Sequence, residues 1–132
     1  MNANEIGKVI LRAILGLTFF IHGFSKFQGG IANTAGFFDS IGVPGFMAYV
    51  VAVIELVGGI ILILGLGTRV VSMLLAVIMI GAIFTVKLSA GFLGDGQMAG
   101  YELELLLLAM SVYFIFTNQS KISLDQKFST NN

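Results

Sequence analysis

The chain has 132 residues, of which 57% are hydrophobic and only 11% charged, against about 25% charged in ordinary soluble domains. Seven basic and seven acidic side chains cannot cover the surface of so small a domain in water, which excludes an ordinary soluble globule. A formal net charge of +0 without a basic block argues against a nucleic-acid partner, and the lack of cysteine excludes disulfide scaffolds, Cys zinc sites, iron–sulfur clusters and dithiol redox chemistry within this chain.

A helix needs roughly 20 mostly apolar residues to cross the hydrocarbon core of a bilayer. The first such stretch covers residues 7–27 and is interrupted by Arg12, His22 and Lys26. It ends in Gly23-Phe24-Ser25-Lys26-Phe27, an aromatic and basic finish that suits a membrane interface. No small-x-small cleavage site follows it, so it reads as a span of the mature protein. The connection 28–43 carries Phe37, Phe38 and Ile41, with Thr34 placed to cap a short interfacial helix. Pro44 and Gly45 open a second span, 45–66, whose one charge is Glu55. A tight turn at Gly65-Leu66-Gly67-Thr68 leads into a third span, 69–88. The connection 89–100 contains Gly91, Gly94, Gly96 and Gly100 and reads as a surface loop or a flexible flap. The fourth span, 101–117, has Glu102 and Glu104 in its first turn, and the final dozen residues are polar. The apolar runs are continuous and do not alternate, so they are helices and not barrel strands. The prediction is a single all-α domain, an integral membrane bundle of four transmembrane helices.

Lys8, Arg12, Arg69, Lys121 and Lys127 fall at one set of helix ends, and Lys26 and Lys87 at the other. That bias places both termini in the cytoplasm. Asn118-Gln119-Ser120 matches a glycosylation sequon, silent on that side.

Ionisable residues within apolar helices are costly and mark functional or paired positions. Glu55 lies about ten residues into its span, roughly 15 Å deep at 1.5 Å per residue, near the midplane. At 100° per residue, Arg12, His22 and Lys26 fall within roughly 80° on the first helix. Glu55 shares a face with Gly58, Gly59 and Leu62, which lets a neighbouring backbone approach. On the fourth helix Glu102 aligns with Leu106, Ala109 and Tyr113, while Glu104 points roughly 200° away. The expectation is therefore that Glu102 faces inward and Glu104 snorkels to the headgroups. Antiparallel packing would gather His22, Lys26, Glu55, Lys87 and Glu102 in one half of the bundle. The plainer alternative is that these groups are ion pairs fixing helix register, which is the reading preferred for Arg12 and Arg69. A single histidine cannot supply two axial haem ligands to one chain, and no metal site is expected.

Arg12, Gly16, Phe20, His22-Gly23 and Lys26, then Glu55, Gly58-Gly59, Gly65 and Thr68-Arg69, then Gly91-Phe92 and Gly100-Tyr101-Glu102 resemble the DoxX family of small bacterial membrane proteins. The resemblance covers nearly the whole chain and is nearest to the Bacillus-type oxidoreductases of that family linked to catechol and quinone stress. It implies a four-helix protein of the bacterial cell membrane, and association with redox enzymes there. It also leads one to expect histidine at position 87, where this chain has a lysine, normally protonated at neutral pH.

The leading expectation is a membrane oxidoreductase or redox-complex subunit that handles a quinone or catechol-like compound. Glu55, His22 and Glu102 are the candidate proton-exchanging residues, and Lys26, Lys87 and Tyr113 the candidate substrate contacts. Glu55 needs a cation such as Lys26 or Lys87 beside it to stay ionised at that depth. No cofactor is built in beyond a bound quinone, so electrons must come from a redox-enzyme partner or a bound reductant. The alternatives are a non-catalytic membrane anchor or assembly subunit, and a small transporter of aromatic compounds with Glu55 as a proton-coupled switch. A homodimer through the glycine faces of the second or third helix is a further expectation, unless Gly58-Gly59 packs inside the chain.

Overall fold

The computed structural model describes residues 2–117 and 122–130. Helix α1 (Ala3–Gln28) begins ahead of the apolar pattern because the Asn2 side chain caps it, its Oδ1 accepting the Glu5 N–H at 2.9 Å. Gly30, at φ 90°, turns the chain into α2 (Ile31–Ser40). Thr34 is consequently inside that helix and does not cap it, since the reversal comes earlier, at Gly30. Helix α3 (Phe46–Leu64) is tied to α2 through Asp39, whose Oδ1 accepts the Gly45 N–H at 2.8 Å. It stops at Gly65, φ 73°, where the N–H groups of Gly65 and Leu66 turn back to the carbonyls of Leu62 and Ile61.

Helix α4 (Thr68–Ala82) continues through a π-turn over Ile83–Lys87 and a 3-10 turn over Leu88–Ala90. After the glycine-rich connection come α5 (Glu102–Phe116) and a short α6 (Leu124–Thr130). The polar final residues were not expected to be helical. Lys121 and the sequon Asn118-Gln119-Ser120, used above for sidedness, lie outside the described residues.

Two antiparallel pairs make the bundle, α1 against α3 and α4 against α5, around a core of Leu15, Phe19, Leu62, Leu75, Met79, Leu107 and Phe114. Helix α1, helix α3 and the continuous segment Thr68–Ala90 are each long and apolar enough to cross a membrane. The expected fourth span is a 15-residue helix, about 22 Å long at 1.5 Å per residue, which is shorter than the ~30 Å hydrocarbon core. Side chains such as Ile14, Val53, Val77, Phe84 and Leu106 point outward, as a lipid environment allows.

The α1–α3 contact is backbone on backbone. A Cβ placed on Gly59 would stand 2.5 Å from the Gly16 carbonyl oxygen, and one on Gly23 would stand 2.5 Å from the Leu56 nitrogen. Gly58 packs towards Val71 and Leu75 of α4. The Gly58-Gly59 face is thus consumed inside the chain and is not free to form a dimer. Gly59→Ala is expected to cost about 1–3 kcal/mol, because the atoms it meets are backbone that cannot move aside. Gly36→Ala, with nothing within 4 Å of its Cβ, leaves stability unchanged or slightly raised. Thermal unfolding of both variants in detergent checks the contrast.

Candidate functional site

Side chains on a helix lean towards its N-terminus. The Lys26 amine therefore reaches back along α1 to the level of Gly23, where α1 lies against Ala52 and Leu56 of α3. Glu55, beside Leu56, meets it there, with Lys26 Nζ 2.8 Å from Glu55 Oε1. The Glu55 side chain is 3% exposed and that of Lys26 24%. A carboxylate this deep is held by the short bond to a cation, and the cation keeps one edge open.

A second pair closes the other half of the bundle. The π-turn over Ile83–Lys87 shifts the end of α4 by a fraction of a turn and carries Lys87 towards α5. Lys87 Nζ lies 3.7 Å from Glu104 Oε1 and donates to the Ala99 carbonyl at 3.3 Å. The glycine-rich connection that presents Ala99 is closed upon itself. Tyr101 and Glu102 donate their N–H groups to the carbonyls of Gly91 and Phe92 at 3.1 and 3.2 Å, and Phe92 packs edge-on against Tyr101. Asp95 Oδ1 accepts the N–H groups of Met98 and Gln97 at 2.8 and 3.0 Å. These bonds hold its carboxyl below the ordinary 3.8. The segment is a hydrogen-bonded hairpin and not a loose flap.

Between the two pairs lies a cavity of about 520 Å³. Its ionisable lining comes from His22, Lys26, Glu55, Lys87 and Glu104, and its apolar walls from residues such as Phe19, Phe38, Met47 and Leu107. The size and the few converging polar groups suit a small organic ligand. The ring of His22 is half-buried on this cavity, and its backbone carbonyl accepts the Ser25 hydroxyl at 2.9 Å. Helix α2 contributes Thr34, Phe37 and Phe38 to the same wall. Among the described residues no three His, Asp or Glu side chains converge to hold a metal ion.

Four of the expected site residues, His22, Lys26, Glu55 and Lys87, are therefore brought together, and two are not. Glu102 and Tyr113 are exposed on the outer face of α5 together with Leu106 and Ala109. The inward face is Glu104, Leu107, Ser111 and Phe114. The cause of the reversal is that α5 is apolar nearly all round, so its hydrophobic periodicity selects no face. Glu104, expected at the headgroups, is the carboxylate that enters the cavity. The signal available was Ser111, a small polar residue two turns along the same stripe.

Arg12 and Arg69 part company. Arg12 is 4% exposed and its Nη2 donates to the Ile122 carbonyl at 2.7 Å. Asp125 of α6 approaches the same region, accepting the N–H groups of Gly67 and Thr68 at 2.8 and 3.1 Å and so capping α4. Arg12 is thus part of a structural clasp. Arg69 is exposed and forms no ion pair among the described residues.

Spanning helices, an apolar core and ionisable groups gathered at a cavity define an integral membrane helical bundle. The chain belongs to the DoxX family, whose profile matches residues 7–88. It is 50% identical over 121 residues to a Bacillus subtilis (strain 168) protein named "Putative oxidoreductase CatD", covering 92% of this chain and 86% of that one. An uncharacterized protein of Haemophilus influenzae is 37% identical over 123 residues, 89% of this chain and 87% of the relative. An uncharacterized membrane protein of Mycobacterium tuberculosis is 33% identical over 131 residues, with 92% and 80% covered. No solved structure matches the chain.

Removing one partner of the buried pair is expected to be worse than removing both. Lys26→Met strands the Glu55 carboxylate and costs about 3 kcal/mol, the low end for a buried pair because Lys26 is partly exposed. Lys26→Met combined with Glu55→Leu recovers most of that loss in an unfolding titration. At the hairpin, the Asp95 bonds favour its charged form, so their contribution is present above the unfolded carboxylate range and fades as pH falls through the lowered folded value. The amide resonances of Gln97 and Met98 are expected to titrate with a midpoint below 3.8.

Proposed function

We propose that this membrane protein is an oxidoreductase or redox-complex subunit acting on quinone or catechol-like aromatic compounds. The observation that carries the reading is the cavity of about 520 Å³ with apolar walls and two lysine–glutamate pairs. A quinone is a flat apolar ring with two carbonyl oxygens, and it matches that distribution of polarity. Its reduction to the hydroquinone takes up two electrons and two protons. Lys26 or Lys87 would polarise a carbonyl oxygen, and Glu55 and His22 would exchange the protons. The chain holds no thiol, so the two electrons are assigned to a partner redox enzyme in the membrane. The oxidoreductase name carried by the Bacillus relative is in keeping with this chemistry.

The setting we propose is a bacterial cell membrane with both termini in the cytoplasm. Lys8, Arg12, Arg69 and Lys127 lie at the end of the bundle that carries the termini, as positive charge on the cytoplasmic side requires.

The test is mass spectrometry of small molecules extracted from protein purified in mild detergent, wild type against Glu55→Gln, with thermal unfolding recorded for both. A quinone near one per chain in the wild type, lost in a folded Glu55→Gln, is the expected result. No quinone in either sample, with an enzyme co-purifying, would overturn the reading in favour of an anchor subunit whose ion pairs only fix helix register.

A further inference from the structure

The residues that line the cavity separate by exposure. Its ionisable groups, His22, Lys26, Glu55, Lys87 and Glu104, are buried or half-buried. Its exposed members are Phe37, Ile41, Val77, Gly81, Thr85 and Leu103. All of these are apolar except Thr85, and the Thr85 hydroxyl is satisfied within its own helix, donating to the Gly81 carbonyl at 2.6 Å. A wall residue that is also exposed stands where the cavity meets its surroundings. The mouth of this cavity is therefore apolar, and the polar groups lie inside it.

Val77, Gly81 and Thr85 are spaced i, i+4 and i+8 and form one stripe, about 12 Å long at 1.5 Å per residue. The stripe belongs to the segment Thr68–Ala90, which is long and apolar enough to cross a membrane. Hydrocarbon and not water is the medium at that depth. Val77 is 67% exposed, and a Cβ placed on Gly81 would meet nothing within 4 Å, so Gly81 leaves a gap in the stripe. The space inside exceeds what a ring fills: about 150 Å³ suffices for benzene, against about 520 Å³ here. We propose, resting on the aromatic redox ligand inferred above, that the ligand carries an alkyl or isoprenoid chain, which leaves the cavity through this mouth over Gly81 while the ring stays among the ionisable groups. The substrate class is then a membrane-borne quinone or its quinol, and not a water-soluble catechol. Lipid tails are as apolar as the groove, so the chain gains little affinity there. What it requires is an exit, and the missing side chain at Gly81 provides one.

The experiment measures equilibrium binding of menadione and menaquinone-4 to the whole chain in lipid nanodiscs. The two probes share a naphthoquinone ring and differ in the isoprenoid chain. Each variant is compared with wild type at one lipid-to-protein ratio, so that partitioning of the probe into lipid cancels. Gly81→Leu is expected to weaken menaquinone-4 at least about tenfold, the scale of one steric clash, and to leave menadione within about twofold. Val77→Trp, at the same mouth, is expected to act in the same direction and decides the matter if Gly81→Leu does not fold. Leu106→Trp, on an exposed face of α5 outside the cavity lining, leaves both probes unaffected. Unchanged binding of menaquinone-4 in folded mouth variants would overturn the assignment, as would equal loss of both probes, which places Gly81 at the ring and not at the chain. Wild type that binds menadione but rejects menaquinone-4 defeats the chain exit alone. Wild type that binds neither defeats the aromatic-ligand reading with it.

Discussion

A carboxylate in the middle of an apolar helix is the constraint from which this architecture follows. Glu55 sits mid-helix with its side chain only 3% exposed, so its charge is met by another side chain. Lys26 meets it because Gly23 lets α1 lie directly on the backbone of α3, and the same close approach recurs lower down at Gly16 and Gly59. Glycine at these positions sacrifices helix propensity and returns an interhelical distance short enough for a direct ion pair. The geometry of α1 and α3 is therefore fixed by one charge and three missing methyl groups.

The same logic divides the molecule. Each pair of helices closes its own lysine–glutamate contact, Lys26–Glu55 across α1 and α3 and Lys87–Glu104 across α4 and α5. Neither ion pair ties one half to the other, and the cavity opens where the halves meet. The first pair is tight and the second loose. One is electrostatically complete. The other retains an unmet acceptor at Glu104.

The sequence made the membrane class, the helix limits and the gathering of His22, Lys26, Glu55 and Lys87 legible, because charge in an apolar run is a strong signal and glycine spacing on α3 agreed with it. The orientation of α5 was not legible. Leucine surrounds that helix on all sides, and an angular argument needs a polar face to count from. The π-turn at Ile83–Lys87 was hidden too, since it changes phase without changing composition. Thr34 illustrates a third kind of error: a good capping residue was overruled by a glycine four positions earlier that turns the chain first. The role of α6 was out of reach because its partners, Arg12 and the start of α4, are remote in the chain and are satisfied through backbone atoms.

That last arrangement has a consequence for the order of assembly. The carbonyl that receives the Arg12 guanidinium is 110 positions downstream of it, and the carboxylate that caps α4 follows at Asp125. A ribosome delivers both after every spanning helix has been made. Until then the Arg12 guanidinium lacks that carbonyl. A short polar segment made last thus completes contacts that begin at the first helix and at the start of α4.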